Sequence, residues 1–171
     1  MSEQALLVID PQNDYFPEGK YPLWNTEAVL EKMKQAIKTA NEKSIPVILI
    51  RHEGNENSPF FNPGTEGAAV HKEIAALAPD APVVTKNFAD GFEQTPLAGL
   101  LADLKVSELL LCGMMTQNCI THTALSKMAE PYQISVLQDA CTTVDPMIHG
   151  IAINGLSVRT HLINTNQMSR S

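Results

Sequence analysis

The chain has 171 residues, 44% of them hydrophobic, and 12 basic against 19 acidic residues leave a formal net charge of −7. That length suits one domain with its own core, and that hydrophobic share excludes a disordered chain. The acidic balance argues against nucleic acid or an anionic membrane as partner, and no apolar run approaches the roughly 18 residues of a spanning helix. Short apolar runs alternate with segments of helical period, the pattern of a parallel α/β sheet. Ala5 to Ile9 read as a first strand, apolar on both faces. Thr26 is placed as the cap of a helix to about Lys43, with Leu30, Met33, Ile37 and Ala40 on one face. A strand over Val47 to Ile50 and a long loop from Glu53 to Thr65 follow, then a helix near Gly67 to Leu77 and a strand over Val83 to Thr85. Thr95-Pro96 predicts a helix over about Pro96 to Leu104, and Glu108 to Cys112 a strand that Gly113 ends. Next come a helix from about Gln117 to Ala129, a strand over Ile134 to Leu137, and a helix opened by Asp145-Pro146 that runs to about Val158. A last strand covers Thr160 to Ile163, and the polar end from Asn164 to Ser171 is expected to fray. Six strands with helices on both faces make a three-layer α/β/α domain over 1–171, with a mostly parallel sheet.

The three cysteines, Cys112, Cys119 and Cys141, form no CxxC pair, which disfavours a disulfide framework or a zinc site. With an opening that lacks a basic stretch followed by an apolar one, they point to the cytoplasm. In open α/β sheets ligands bind beyond the carboxyl ends of the strands. Three reactive side chains are expected there: Asp10 after the first strand, Lys86 after the third, and Cys119 in the first turn of a helix after the fourth. Free N–H groups and the dipole of that turn would lower the thiol pKa and could hold an oxyanion. Alternatively, Cys119 is a small buried hydrophobe, Asp10 a loop cap near Pro11 and Asn13, and Lys86 a surface residue.

Four segments then carry a resemblance. Leu7-Val8-Ile9-Asp10-Pro11-Gln12-Asn13-Asp14, Pro63-Gly64-Thr65-Glu66-Gly67, Lys86-Asn87-Phe88-Ala89-Asp90-Gly91-Phe92 and Gly113-Met114-Met115-Thr116-Gln117-Asn118-Cys119 stand in the order and spacing of the isochorismatase-like cysteine hydrolase family, which the chain resembles from Leu6 to about Met168. The resemblance implies a catalytic triad of Asp10, Lys86 and Cys119. It also implies a cis peptide at Met114-Met115, with the N–H groups of Met115 and Cys119 as an oxyanion hole. The implied activity is cysteine-dependent hydrolysis of an amide or carbamoyl-type C–N bond in a small molecule, through a thioester, by a homo-oligomer (dimer or tetramer). Nicotinamidases of the family bind a metal through an Asp-x-His pair after the second strand. Here those positions hold His52 and Gly54, so the resemblance implies no metal, and nicotinamide is not the expected substrate.

No phosphate-binding glycine motif occurs and no cofactor is called for. Phe16, Trp24, Phe60, Phe61, Phe92 and Thr116 are candidate walls of a substrate pocket, with His52 as a candidate donor to substrate; Phe16 and Phe92 could equally pack beneath the loops. His122, His149 and His161 read as structural. Three other functions compete. Vinyl-ether cleavage of an isochorismate-like acid needs no thiol. A silent binding subunit needs no reactive Cys119. A redox-sensing thiol needs a resolving cysteine, and only Cys112, inside an apolar strand, is plausible.

Overall fold

The computed structural model describes residues 2–170, with side chains as far as Met168. Six strands pair in parallel in the order β3-β2-β1-β4-β5-β6. They are β1 (Gln4–Ile9), β2 (Val47–His52), β3 (Val83–Lys86), β4 (Glu108–Met114), β5 (Gln133–Thr142) and β6 (His161–Ile163). The helices are α1 (Thr26–Glu42), α2 (Lys72–Leu77), α3 (Leu97–Leu104), α4 (Thr121–Ala124) and α5 (Pro146–Leu156). β1 shows why the alternation could be read. Leu6 and Val8 pack on one face with Val29, Met33 and Ile37 of α1. Ala5, Leu7 and Ile9 pack on the other with Leu97 and Leu101 of α3, Ala124 of α4 and Leu156 of α5. A strand covered on both faces has no polar side to show. Among the described residues no helix is long and apolar enough to cross a membrane.

Several expected boundaries shift, each for a local reason. Thr26 is the first residue of α1 rather than its cap; Asn25 precedes it with φ 60° and no capping side-chain bond. The expected helix near Gly67 is a 3-10 turn (Glu66–Ala68) and a separate α2, capped by His71 Nδ1, which accepts the Glu73 N–H. Gly113 does not end β4 but lies inside it at φ 125°, where a Cβ would overlap the Ile9 carbonyl on β1. The helix expected over Gln117 to Ala129 is broken into a π-helical turn (Thr116–Ile120), the single turn of α4, and a 3-10 turn (Lys127–Ala129) capped by Ser126. β5 is far longer than Ile134 to Leu137, because a register shift against Leu111 and Gly113 lets it bend and continue to Thr142. The segment from Asn164 to Met168, expected to fray, is anchored: Asp139 Oδ1 accepts both the N–H and the hydroxyl of Thr165, and Met168 is buried against α1. The expected fraying at Ser171 lies outside the described residues. Asp145 caps α5 as expected, accepting the Ile148 N–H at 2.8 Å, with Pro146 in the first turn.

Candidate active site

The chain reverses its direction of travel across the sheet between β1 and β4, so a crevice opens beyond their carboxyl ends. Asp10 leaves β1 with φ 52°, a left-handed turn that aspartate tolerates better than most residues. Its Oδ2 accepts a hydrogen bond from Lys86 Nζ at 3.1 Å. Lys86, the last residue of β3, also donates to Cys119 Sγ at 3.2 Å. Asp10 and Lys86 have no exposed surface and Cys119 has 2%, so the three meet with almost no water around them. The loop-cap and surface-lysine readings are thereby excluded for Asp10 and Lys86.

Electrostatics here runs against one expectation. Burial and the Asp10 charge push the Cys119 thiol well above its ordinary value, and the Lys86 ammonium opposes them without prevailing. The sulfur therefore rests as a thiol. It also sits inside the π-turn rather than in the first turn of a long α-helix, so the expected dipole effect lacks its helix. Burial lowers the Lys86 pKa, but the Asp10 charge and the hydrogen bonds to Asp10 and Cys119 outweigh it and leave the value raised, so the amine stays an ammonium. Asp10 Oδ1 has no hydrogen-bond partner among the described residues, which leaves one carboxylate oxygen able to take a proton. The Met114–Met115 peptide is cis, and Met115 leads from β4 into the turn that carries Cys119.

Donor atoms of Asp10, His52 and Cys119 all lie within 4.8 Å of one another, a set that could suit a soft divalent ion. The Lys86 ammonium already occupies that cluster, 3.1 Å from Asp10 Oδ2, 3.2 Å from Cys119 Sγ and 3.0 Å from His52 Nδ1. A metal there would face a fixed positive charge, so the donor set fits an ammonium better than a metal.

The remaining candidates divide. Phe61 is buried, with its ring 6.1 Å from that of His52; Phe60 stacks on Tyr21 at 4.7 Å. Trp24 is 37% exposed, 6.0 Å from the His149 ring. Thr116 is fully buried, its hydroxyl 2.8 Å from His149 Nδ1, which ties α5 to the turn of Cys119. Phe16 packs against the His71 ring at 4.7 Å, and Phe92 joins the core beneath α3. Two residues escaped the sequence reading. Gln12 is fully buried and bonds the backbone of His52 on both sides. Tyr15 is 2% exposed, with its ring 4.6 Å from that of Phe61, and burial first, then the Asp10 charge, raises the pKa of its hydroxyl. Gln12 stands inside the first family motif and Tyr15 directly after it, but nothing local in the sequence assigns either side chain a partner.

The model of the Isochorismatase domain matches residues 4–167. The chain belongs to the isochorismatase family. Within this family it is 39% identical over 141 residues to the uncharacterized isochorismatase family protein YddQ of Bacillus subtilis, covering 81% of this chain and 77% of that one. It is 31% identical over 150 residues to a streptothricin hydrolase of Streptomyces noursei, covering 87% of this chain and 58% of that one. An isochorismatase-type structure from Oleispira antarctica superposes with a TM-score of 0.89 at 32% identity, covering 98% and 96% of the two chains.

Proposed function

We propose that this isochorismatase-family chain, acting as one domain, hydrolyses an amide or carbamoyl-type C–N bond of a small molecule, with Cys119 as nucleophile. The observation that carries the reading is the placement of Lys86 Nζ, 3.1 Å from Asp10 Oδ2 and 3.2 Å from Cys119 Sγ, in a site nearly closed to water. Asp10 Oδ1 takes the thiol proton, and the ammonium offsets the charge on the sulfur. The thiolate attacks the substrate carbonyl, and the N–H groups of Met115 and Cys119 hold the oxyanion. Collapse breaks the C–N bond, and the amine leaves with the proton from Asp10. Water that gives a proton to Asp10 then cleaves the thioester, and Asp10 returns that proton to the sulfur. Because the resting thiol is neutral, proton removal and attack are coupled, and the substrate is engaged before a free thiolate accumulates. A streptothricin hydrolase among its relatives supports this class of reaction.

A panel of small amides and carbamoyl compounds, followed by mass spectrometry, tests the reading. The expected result is released amine with a transient acyl adduct on Cys119, and turnover reduced at least about 10⁴-fold in Cys119→Ala. Undiminished hydrolysis by Cys119→Ala would eliminate the thioester route, and release of pyruvate without amine would favour vinyl-ether cleavage.

The same reading includes self-association through α5. Met147 and Ile151 are 74% and 67% exposed, Val158 just beyond the helix is 82% exposed, and no Asp, Glu, Lys or Arg occurs from Pro146 to Val158. On a chain of net charge −7, that strip is where a like-charged copy meets least repulsion. Sedimentation equilibrium should give a dimer or tetramer that Ile151→Asp dissociates; a monomeric wild type removes this part of the proposal.

A further inference from the structure

The Lys86 ammonium has three N–H bonds and no lone pair. Asp10 and Cys119 receive two of them. The third acceptor is His52 Nδ1, 3.0 Å from Nζ. A nitrogen that accepts from an ammonium carries no proton, so the ring is neutral with its hydrogen on Nε2. His52 is paired in register with Lys86 across β2 and β3, which brings the two side chains to one strand tip. Its backbone is held from the other side by Gln12, whose Oε1 accepts the His52 N–H at 2.8 Å and whose Nε2 donates to the His52 carbonyl at 2.7 Å. Gln12 Nε2 also donates to the Ala68 carbonyl at 2.8 Å, which ties this clamp to the loop before α2. We propose that His52 is a positioning residue of the site: neutral and accepting through Nδ1, it fixes the Lys86 ammonium between Asp10 and Cys119. This rests on the cysteine-nucleophile reading and adds a residue to it.

Protonation of His52 would turn Nδ1 into a donor facing an ammonium at 3.0 Å. Burial first, then the Lys86 charge, lower its pKa; the Asp10 charge and the Phe88 backbone oppose them. Cys119 lies across the ammonium, the uncharged Phe61 ring stands 6.1 Å away, and the flanking Arg51 and Glu53 neutralise one another at 3.1 Å. The ring therefore keeps its acceptor through neutral pH and loses it only in acid.

The test is the rate of Cys119 alkylation by iodoacetamide across pH, with the modified cysteine identified by mass spectrometry, in the wild type, His52→Leu and His52→Asn. Asparagine can place an oxygen near the Nδ1 position and does not titrate. The expected result is alkylation slowed about tenfold in His52→Leu, restored to within a few-fold in His52→Asn, and for His52→Asn a rate profile whose acid limb lies at lower pH than that of the wild type. Equal rates and equal profiles in all three, with melting temperatures showing that each is folded, overturn the inference and leave the nucleophile reading standing. Undiminished hydrolysis of the amide panel by Cys119→Ala overturns the nucleophile reading and this inference with it. Should His52→Leu fail to fold, the asparagine variant decides: an unmoved acid limb overturns the proposal.

Discussion

Lys86 keeps a positive charge where no water reaches it, so its neighbours must do what water would. Replacing it by methionine keeps most of its volume and leaves the Asp10 carboxylate buried without a cation. Lys86→Met should cost about 3–5 kcal/mol in urea unfolding. Adding Asp10→Asn to Lys86→Met should recover most of that loss, because the stranded charge is then gone, while activity stays absent. A double variant no more stable than the single one would show that lysine packing, not charge pairing, holds this part of the core. Asp10 and Lys86 could be singled out in the sequence because each follows an apolar strand. Their contact is implied by the family resemblance and not by any local pattern, since 76 residues separate them and only the β1-β2-β3 pairing closes that gap. The lowered thiol pKa expected for Cys119 is reversed for a related reason: its depth depends on the layers above and below it, and burial, then the Asp10 charge, raises the value.

At the scale of elements, β1 and β4 approach so closely at Ile9 and Gly113 that a side chain has no room. Gly113 takes φ 125° there, a conformation that alanine strains to adopt. Gly113→Ala should cost more than about 3 kcal/mol and displace the strand that leads to Met115 and Cys119, so activity falls with stability. A variant that melts with the wild type would show that the two strands can part freely. The glycine was read from sequence as a strand end, a fair reading of a breaker in an apolar run. What kept it inside the strand is pairing with β1 on one side and β5 on the other. The same logic explains the broken helix after Cys119. Its residues have helical spacing, but the π-turn, with the Thr116 carbonyl accepting from the Thr121 hydroxyl, sets a path that no local propensity encodes.

For the whole molecule, buried titratable groups set opposite limits on stability. Burial lowers His52, His71 and His149 below their ordinary 6.5. As pH falls past 6.5 the unfolded chain takes up protons that the native one refuses, so stability drops through the interval between that value and the lowered native ones. Burial raises the thiols, with Cys141 pushed up to about 12 from 9.0. Above pH 9.0 the unfolded chain releases thiol protons that the native one keeps, and stability falls again. Lys86, raised above 10.5, adds its loss at still higher pH. Calorimetry from about pH 5 to about pH 10 should therefore show a maximum melting temperature between the two limits. A melting temperature that climbs steadily toward acid would contradict the burial assigned to the histidines.

The sequence by itself determined the class of fold, the six strands and the identity of the three reactive side chains, because apolar period and position after a strand are local properties that a chain carries in its order. It also carried the family motifs, which are short and contiguous. The tertiary structure alone decided the meeting of His52 with Lys86, the clamp by Gln12, the place of Gly113 inside a strand and the protonation of Cys119 at rest. Each of these depends on which distant backbone lies alongside and how much water it displaces, and neither quantity is a property of neighbouring residues.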